Sequence, residues 1–326
     1  MIILKKPKNG EKTDLLTGEQ REFLAIDRSD FCMQSFDYLN LKREGKKDFS
    51  FPEPVRFEWE AEGESILQIS ENESFEFCYS VKGKGFCDFY NLKSDTRYFW
   101  RVMCKNEISD TYFFDTKDEL PRVIKIDGLT NIRDCGGWKI ADGKRIRQGL
   151  LYRGSEMNSH VNITEDGLKT MRETLKIKSV LDLRGKAEIV EDVYKGKYVN
   201  IAVGGYADFF GNPVAVREIF EFLFEEENYP LYFHCWGGAD RTGTVAFLAG
   251  AVLGMSYEDL LDDYEFTSLS VWGARSRNTE EHFKKFYEIL NSYEGNTLKE
   301  KTENYLISCG VTKASIEEFR DFMICR

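Results

Sequence analysis

The 326-residue chain has only three histidines, His160, His234 and His282, and none of its eight cysteines are spaced Cys-x-x-Cys. The side chains from which a zinc site is built are therefore not grouped along it, and neither a metal nor a cofactor is expected. A basic excess is also lacking. The net charge is −11, and a division at Glu119 leaves both parts acidic, 18 basic against 24 acidic residues before it and 27 against 32 after. Nucleic-acid binding requires a basic stripe or face, whereas lysine and arginine occur only as scattered pairs such as Lys46-Lys47. No apolar run reaches the roughly 18 residues of a membrane span. The opening Met1-Ile2-Ile3-Leu4 meets charge at Lys5 too early for a signal peptide, so the expected compartment is the cytoplasm, a leader already removed being the exception. There is no internal repeat and no low-complexity tract.

What the chain does hold is apolar material for two domains. Its hydrophobic content is 42% and its aromatic content 14%, at a length that suits about two cores. In the first part, Phe57–Glu60, Ile66–Ile69, Phe75–Tyr79, Phe86–Phe89, Tyr98–Val102 and Thr111–Phe114 are short, alternating or aromatic, and separated by turn signals. These predict an all-β sandwich, preceded by an N-terminal strand and a long loop around Asp37 to Asp48. Eight cysteines without a regular framework fit a reduced compartment, and Cys78 and Cys87, flanking the Val81–Gly85 turn, read as free thiols. The domain boundary is expected in the charged stretch Lys117-Asp118-Glu119-Leu120-Pro121, giving domains 1–119 and 120–326. After residue 253 the pattern is helical, over Tyr257–Phe266, Thr279–Asn291, Leu298–Ser308 and Ser315–Phe322.

The stretch Phe233-His234-Cys235-Trp236-Gly237-Gly238-Ala239-Asp240-Arg241-Thr242-Gly243 joins the strand-like Leu231–Phe233 to the buried helix predicted over Thr244–Leu253. It puts a cysteine and an arginine six positions apart around a glycine-rich turn. Backbone amides of Trp236, Gly237, Gly238, Ala239 and their neighbours, with the positive end of the helix, form a nest for phosphate oxygens, and Arg241 offers a planar fork to two of them. The dipole and the guanidinium also favour Cys235 as a thiolate nucleophile. Thr242 is placed to turn its hydroxyl toward the sulfur, Gly243 continues the helix entry, and His234 anchors the loop from the strand. Of the eight cysteines only Cys235 has an arginine six residues on.

His-Cys-x-x-Gly-x-x-Arg-Thr-Gly resembles the signature of the cysteine-dependent protein tyrosine phosphatase superfamily. Asn131-Ile132-Arg133-Asp134-Cys135-Gly136-Gly137-Trp138, Leu151-Tyr152-Arg153-Gly154-Ser155 and Val180-Leu181-Asp182-Leu183-Arg184 with Glu188 resemble, in order, its bacterial tyrosine/serine phosphatase branch. The likeness runs from about Ile124 to Leu269. It implies an α/β domain with a central, mainly parallel sheet flanked by helices, and a metal-free reaction through a cysteinyl-phosphate on Cys235. Leu92 to Val102, with Thr111 to Thr116 as a closing strand, resembles the late strands of fibronectin type III-like domains. Such a sandwich is expected to contact a protein partner or to serve as a spacer.

The resemblance implies a carboxylate that protonates the leaving oxygen. Asp240, inside the loop, is preferred to Asp208, which lies in the glycine- and aromatic-rich Gly204–Phe210 stretch expected to close over the pocket. Ala239 stands where the branch carries lysine, and Trp236 where a small residue is usual. One rim charge fewer favours a phosphoaromatic monoester, with Trp236 stacking on its ring. Arg133 and Asp134 read as a buried pair propping the loop. Arg153 and Arg184 lie at strand ends, where α/β sheets bind ligands, and for Arg184 a salt bridge with Glu188 is the other reading. Arg275 and Arg277 form a small basic spot.

The expected activity is a protein tyrosine phosphatase-type hydrolase acting on a phosphorylated protein or a small phosphomonoester. A phosphoinositide or inositol-phosphate phosphatase, and a catalytically weak pseudo-phosphatase that binds phosphorylated partners, stay open.

Overall fold

The computed structural model describes residues 1–26, 47–186, 193–277 and 281–325. Cys32, the expected loop from Asp37 as far as residue 46, Glu188 and the first two residues of the helix expected from Thr279 lie outside the described residues. The chain divides into two compact units, Met1–Thr17 with Pro52–Arg122, and Gly18–Phe51 with Val123–Arg326. The expected continuous first block of residues 1–119 is thus interrupted. The reason is local packing: Phe23 on helix α1 (Gly18–Leu24) is fully buried and edge-on to Phe266. The side-chain amide of Gln20 donates to the carbonyls of Phe49 and Phe51, at 2.8 and 2.7 Å.

The first unit is built from two sheets. One has the order β1 (Ile3–Lys6), β3 (Val55–Glu60), β6 (Phe86–Phe89), all antiparallel. The other runs β2 (Glu11–Thr13), β9 (Tyr112–Thr116), β7 (Arg97–Cys104), β4 (Ser65–Ser70), β5 (Tyr79–Gly83), with β8 (Glu107–Ile108) beside β7. Alternation drives the burial: along β7 the side chains of Tyr98, Trp100, Val102 and Cys104 turn inward, as the period of two requires. Phe57 of one sheet packs edge-on against Trp100 and Phe114 of the other, at 5.2 and 5.6 Å between ring centres. The result is a sandwich. The strand expected at Phe75–Tyr79 begins only at Tyr79. Phe75 has φ of 56°, so it is buried from a turn, with the Arg101 guanidinium 4.1 Å from its ring centre. Cys78 and Cys87 are free.

The second unit has a five-stranded sheet in the order β10 (Arg133–Asp134), β11 (Leu151–Gly154), β14 (Leu231–His234), β12 (Ser179–Asp182), β13 (Lys197–Asn200). Only β10 runs antiparallel. β11, β12 and β14 are buried at every position, which is why they read as apolar runs without alternation. Gly154, His234 and Asp182 lie level in the ladder, so three strands end at one edge, where ligand crevices of open α/β sheets form.

Helices follow as α2 (Glu165–Lys169), α3 (Pro213–Phe224), α4 (Asp240–Leu253), α5 (Tyr257–Phe266), α6 (Glu281–Asn291), α7 (Leu298–Ser308) and α8 (Lys313–Met323). α4 starts at Asp240, four residues before the predicted helix, because the end of the loop is already its first turn. It is buried on nearly every side, so its N-terminus is fixed against the sheet edge. Among the described residues no helix is long and apolar enough to cross a membrane.

Candidate active site

Between the end of β14 and the start of α4, Cys235 to Ala239 form a loop whose carbonyls are all engaged. Cys235 O accepts from His234 Nδ1 at 3.0 Å, Trp236 O from the Glu156 amide at 2.7 Å, and Gly237 O from Asn131 Nδ2 at 2.8 Å. Gly238 O accepts from Arg153 Nη2 at 2.7 Å, and Ala239 O from the Gly243 amide at 2.8 Å. In a trans peptide the N–H points opposite to the C=O. Tying the carbonyls to the scaffold therefore turns the next amides toward the mouth of the loop. Among the described residues, no acceptor engages the amides of Trp236 to Ala239. These donors and the N-terminus of α4 make an anion cradle, with Cys235 buried at its base, 3% exposed.

Two glycines are required by contact, and one of them also by conformation. Gly238 has φ of 65°, and a Cβ there would lie 2.8 Å from the Gly154 Cα. A Cβ on Gly237 would meet the Trp272 ring at 2.7 Å.

Beneath the loop, Asp263 bridges two buried arginines. Its Oδ1 accepts from Arg133 Nε at 2.8 Å and its Oδ2 from Arg153 Nη1. Burial alone would raise the Asp263 pKa, but the two guanidiniums outweigh it and the carboxyl is held below its ordinary range. Burial pulls Arg133 down to about 10, partly offset by Asp263, which leaves it charged at neutral pH. The expected Arg133–Asp134 pair is not formed. Asp134 accepts from the amides of Gly136 and Gly149, at 2.8 and 2.6 Å, and so shapes a turn. Arg133 does brace the loop, through Asn131 and Asp263.

Arg184 is buried between Asp182 and Glu156, not presented to a ligand. Its Nε lies 3.0 Å from both Asp182 oxygens and its Nη1 2.7 Å from Glu156 Oε2. Desolvation lowers its pKa, yet the hydrogen bonds to Asp182 raise it above the ordinary arginine value. His234 anchors the loop from the strand: a carbonyl only accepts, so Nδ1 carries the proton given to Cys235 O. Burial lowers the His234 pKa and keeps the ring neutral. Thr242 Oγ1 is buried and has no hydrogen-bond partner among the described residues, so the expected contact with the Cys235 sulfur is not made.

Trp236 is 39% exposed. The His160 ring lies 4.8 Å from it and 6.1 Å from Trp272, and the Arg241 guanidinium carbon is 5.7 Å from the Trp236 ring centre. His160 Nδ1 is held 2.7 Å from buried Glu156 Oε1. Asp240 is paired with Arg275 and accepts from the Tyr206 hydroxyl at 2.6 Å. The burial that would raise its pKa is outweighed by Arg275, so the carboxyl sits below its ordinary range. Arg277 is likewise paired, with Glu265 and Glu258. Asp208 is exposed on the 3-10 turn Tyr206–Gly211. That turn is not a free lid, since Phe209 is fully buried and Phe210 packs against Tyr305 and Phe286, at 4.7 and 5.6 Å.

Sequence reasoning passed over Asn131, Glu156, Asp182, Tyr206, His160 and Asp263 as site residues. Asn131 and Asp182 stood inside the quoted motifs and were findable there; Asp263, one acid among several on α5, carried no signal.

A loop that carries a cysteine between a parallel strand and a helix N-terminus defines the class of α/β folds with a cysteine-bearing anion loop. The model of the tyrosine phosphatase family matches residues 124–324, and the chain belongs to that family. A curated relative, "Putative tyrosine-protein phosphatase" of Cupriavidus necator, is 29% identical over 43% of this chain and 61% of its own length. The chain thus spans less than two thirds of that relative. Among solved structures, the core catalytic domain of the PP-IP phosphatase SIW14 from S. cerevisiae is similar at 17% identity and TM-score 0.37, covering 56% of this chain and 98% of that one. A second Siw14 catalytic core matches at 17% identity and TM-score 0.33, over 48% and 88%.

Proposed function

We propose that the chain is a phosphomonoester hydrolase working through a cysteinyl-phosphate, with aryl phosphates of the phosphotyrosine type as substrates. The observation that carries this reading is the clamped loop: carbonyls tied outward, amides turned inward, and Cys235 at the base. Cys235 Sγ attacks phosphorus, forming the S–P bond as the P–O bond to the leaving group breaks and its electron pair departs on oxygen. Arg241 and the loop amides stabilise the charge on the equatorial oxygens. Water then attacks phosphorus, and the S–P electron pair returns to sulfur. The rim of Trp236, His160 and Trp272 supports an aromatic ester, because stacked rings add about 0.5–1.5 kcal/mol beyond their burial. The first unit, read as a fibronectin type III-like sandwich, would serve as a spacer or protein-contact module.

The test is hydrolysis of p-nitrophenyl phosphate by the native chain and by Cys235→Ser, with and without chelator. Turnover abolished by the substitution and indifferent to chelator supports the reading. A large preference for inositol polyphosphates over phosphotyrosine peptides would replace its substrate class. No turnover from folded protein with reduced Cys235 would make the chain a phosphate-binding pseudo-enzyme.

A further inference from the structure

Both oxygens of Asp240, the carboxylate preferred for protonating the leaving group, are already occupied. Arg275 Nε donates to Oδ1 at 2.8 Å and Nη2 to Oδ2 at 3.1 Å, and the Tyr206 hydroxyl also donates to Oδ1. That hydroxyl is itself 3.0 Å from the Tyr264 hydroxyl. Arg275 is aimed by its own backbone: its amide donates to Ser268 Oγ at 2.8 Å, and its carbonyl accepts from the same hydroxyl at 2.9 Å. A bidentate guanidinium does not give up its proton and binds the ionised carboxylate best. Burial alone favours the protonated acid, but among the described residues the groups that act on Asp240 are Arg275, Tyr206 and Arg241, two cations and a phenol, and together they outweigh it.

We propose that Arg275 is a positioning residue that keeps both Asp240 oxygens engaged, so that Asp240 braces the loop instead of protonating the leaving oxygen. The site then prefers phosphomonoesters whose leaving oxygen departs as a weakly basic phenolate over those that release an alkoxide. This rests on the phosphatase reading above. In the first step the P–O electron pair leaves on the phenolate, which takes its proton from water afterwards. In the second step the attacking water passes its proton to bulk water as the S–P bond breaks.

The experiment measures kcat/KM over aryl phosphates of graded phenol acidity and one alkyl phosphate, for the native chain, Asp240→Asn, Arg275→Gln, Arg275→Lys and Asp208→Asn. The native enzyme should depend steeply on leaving-group acidity, and Asp240→Asn should lower all rates by one factor without changing that slope. Arg275→Gln should flatten the slope at mildly acidic pH and add a fall in rate as pH rises from there, because Asp240 without its two guanidinium bonds can take up a proton in the ordinary carboxylate range. General acids contribute about 10²–10⁴-fold, and the poorest leaving groups should gain most. Arg275→Lys should restore the native slope in part. An Arg275 with only a structural part would lower every rate equally, and an unchanged slope in Arg275→Gln overturns the proposal. So does a shallow native slope that either Asp240→Asn or Asp208→Asn makes steep, which remains decisive if Arg275→Gln fails to fold. Absence of any native turnover sinks the phosphatase reading instead.

Discussion

The side-chain amide of Asn131 donates to the Gly237 carbonyl at 2.8 Å across 106 positions of sequence. Its orientation is forced. Arg133 Nη1 donates to Asn131 Oδ1, and a guanidinium has no acceptor, so the amide oxygen faces Arg133 and the NH2 faces the loop. Asn131 itself has φ of 60°, a backbone state that asparagine tolerates better than most residues.

Asn131→Ala should therefore loosen the loop rather than remove a reacting group. Leaving a buried carbonyl without its donor costs about 1–3 kcal/mol, and inorganic phosphate should inhibit more weakly. Thermal denaturation and phosphate inhibition constants check this; an unchanged inhibition constant with lowered stability would mean that the clamp does not shape the cradle.

Gly238→Ala is expected to be far more damaging than a surface substitution, since the positive φ opposes a Cβ and the Gly154 carbonyl group and Cα both overlap it. Loss of phosphate binding with a largely preserved circular dichroism spectrum is the expected result. Full activity in this variant would contradict the loop conformation described above.

The pairing of Asp263 with Arg133 and Arg153 ties stability to pH. Its folded pKa lies below the unfolded one, so the folded state binds the proton less readily. The stabilisation is fully present above the unfolded value of roughly 3.9 and is lost as pH falls through the folded pKa. Asp263→Asn should cost about 3–5 kcal/mol at neutral pH, because it leaves two buried cations short of their partner, and should reduce the acid sensitivity of unfolding. Urea denaturation at neutral and acidic pH measures both; parallel losses at the two pH values would argue against an ionised bridge.

The parallel strands, the helix starting in the loop and the loop itself were legible because each is local: apolar runs, a glycine turn, a cysteine and an arginine at fixed spacing. The scaffold was less legible because its partners are far apart in sequence. Arg133 stands beside Asp134, and adjacency suggested a pair, but successive residues of a strand point to opposite faces and the partner proved to be Asp263. Arg184, at a strand end, suggested a ligand contact, whereas Asp182 and Glu156 hold it. Arg275 looked like a solvated basic spot because only the fold brings Ser268 and Asp240 to it. The Phe75–Tyr79 stretch misled through its aromatic content, which here serves a turn.

The aromatic rim gives a prediction that separates binding of the ring from binding of the phosphate. Trp236 is exposed, flanked by the tilted His160 ring and faced by the Arg241 guanidinium, whereas the loop amides do not depend on its side chain. Trp236→Ala should lower kcat/KM for phosphotyrosine peptides by up to about tenfold, the equivalent of about 0.5–1.5 kcal/mol of stacking, chiefly through KM. An alkyl phosphate offers no ring, so its kcat/KM should change much less. Trp236→Phe should recover most of the aryl preference. Equal losses on aryl and alkyl phosphates would mean that Trp236 supports the Arg241 guanidinium instead of the substrate ring, and the aromatic-ester reading would then lose its main structural support.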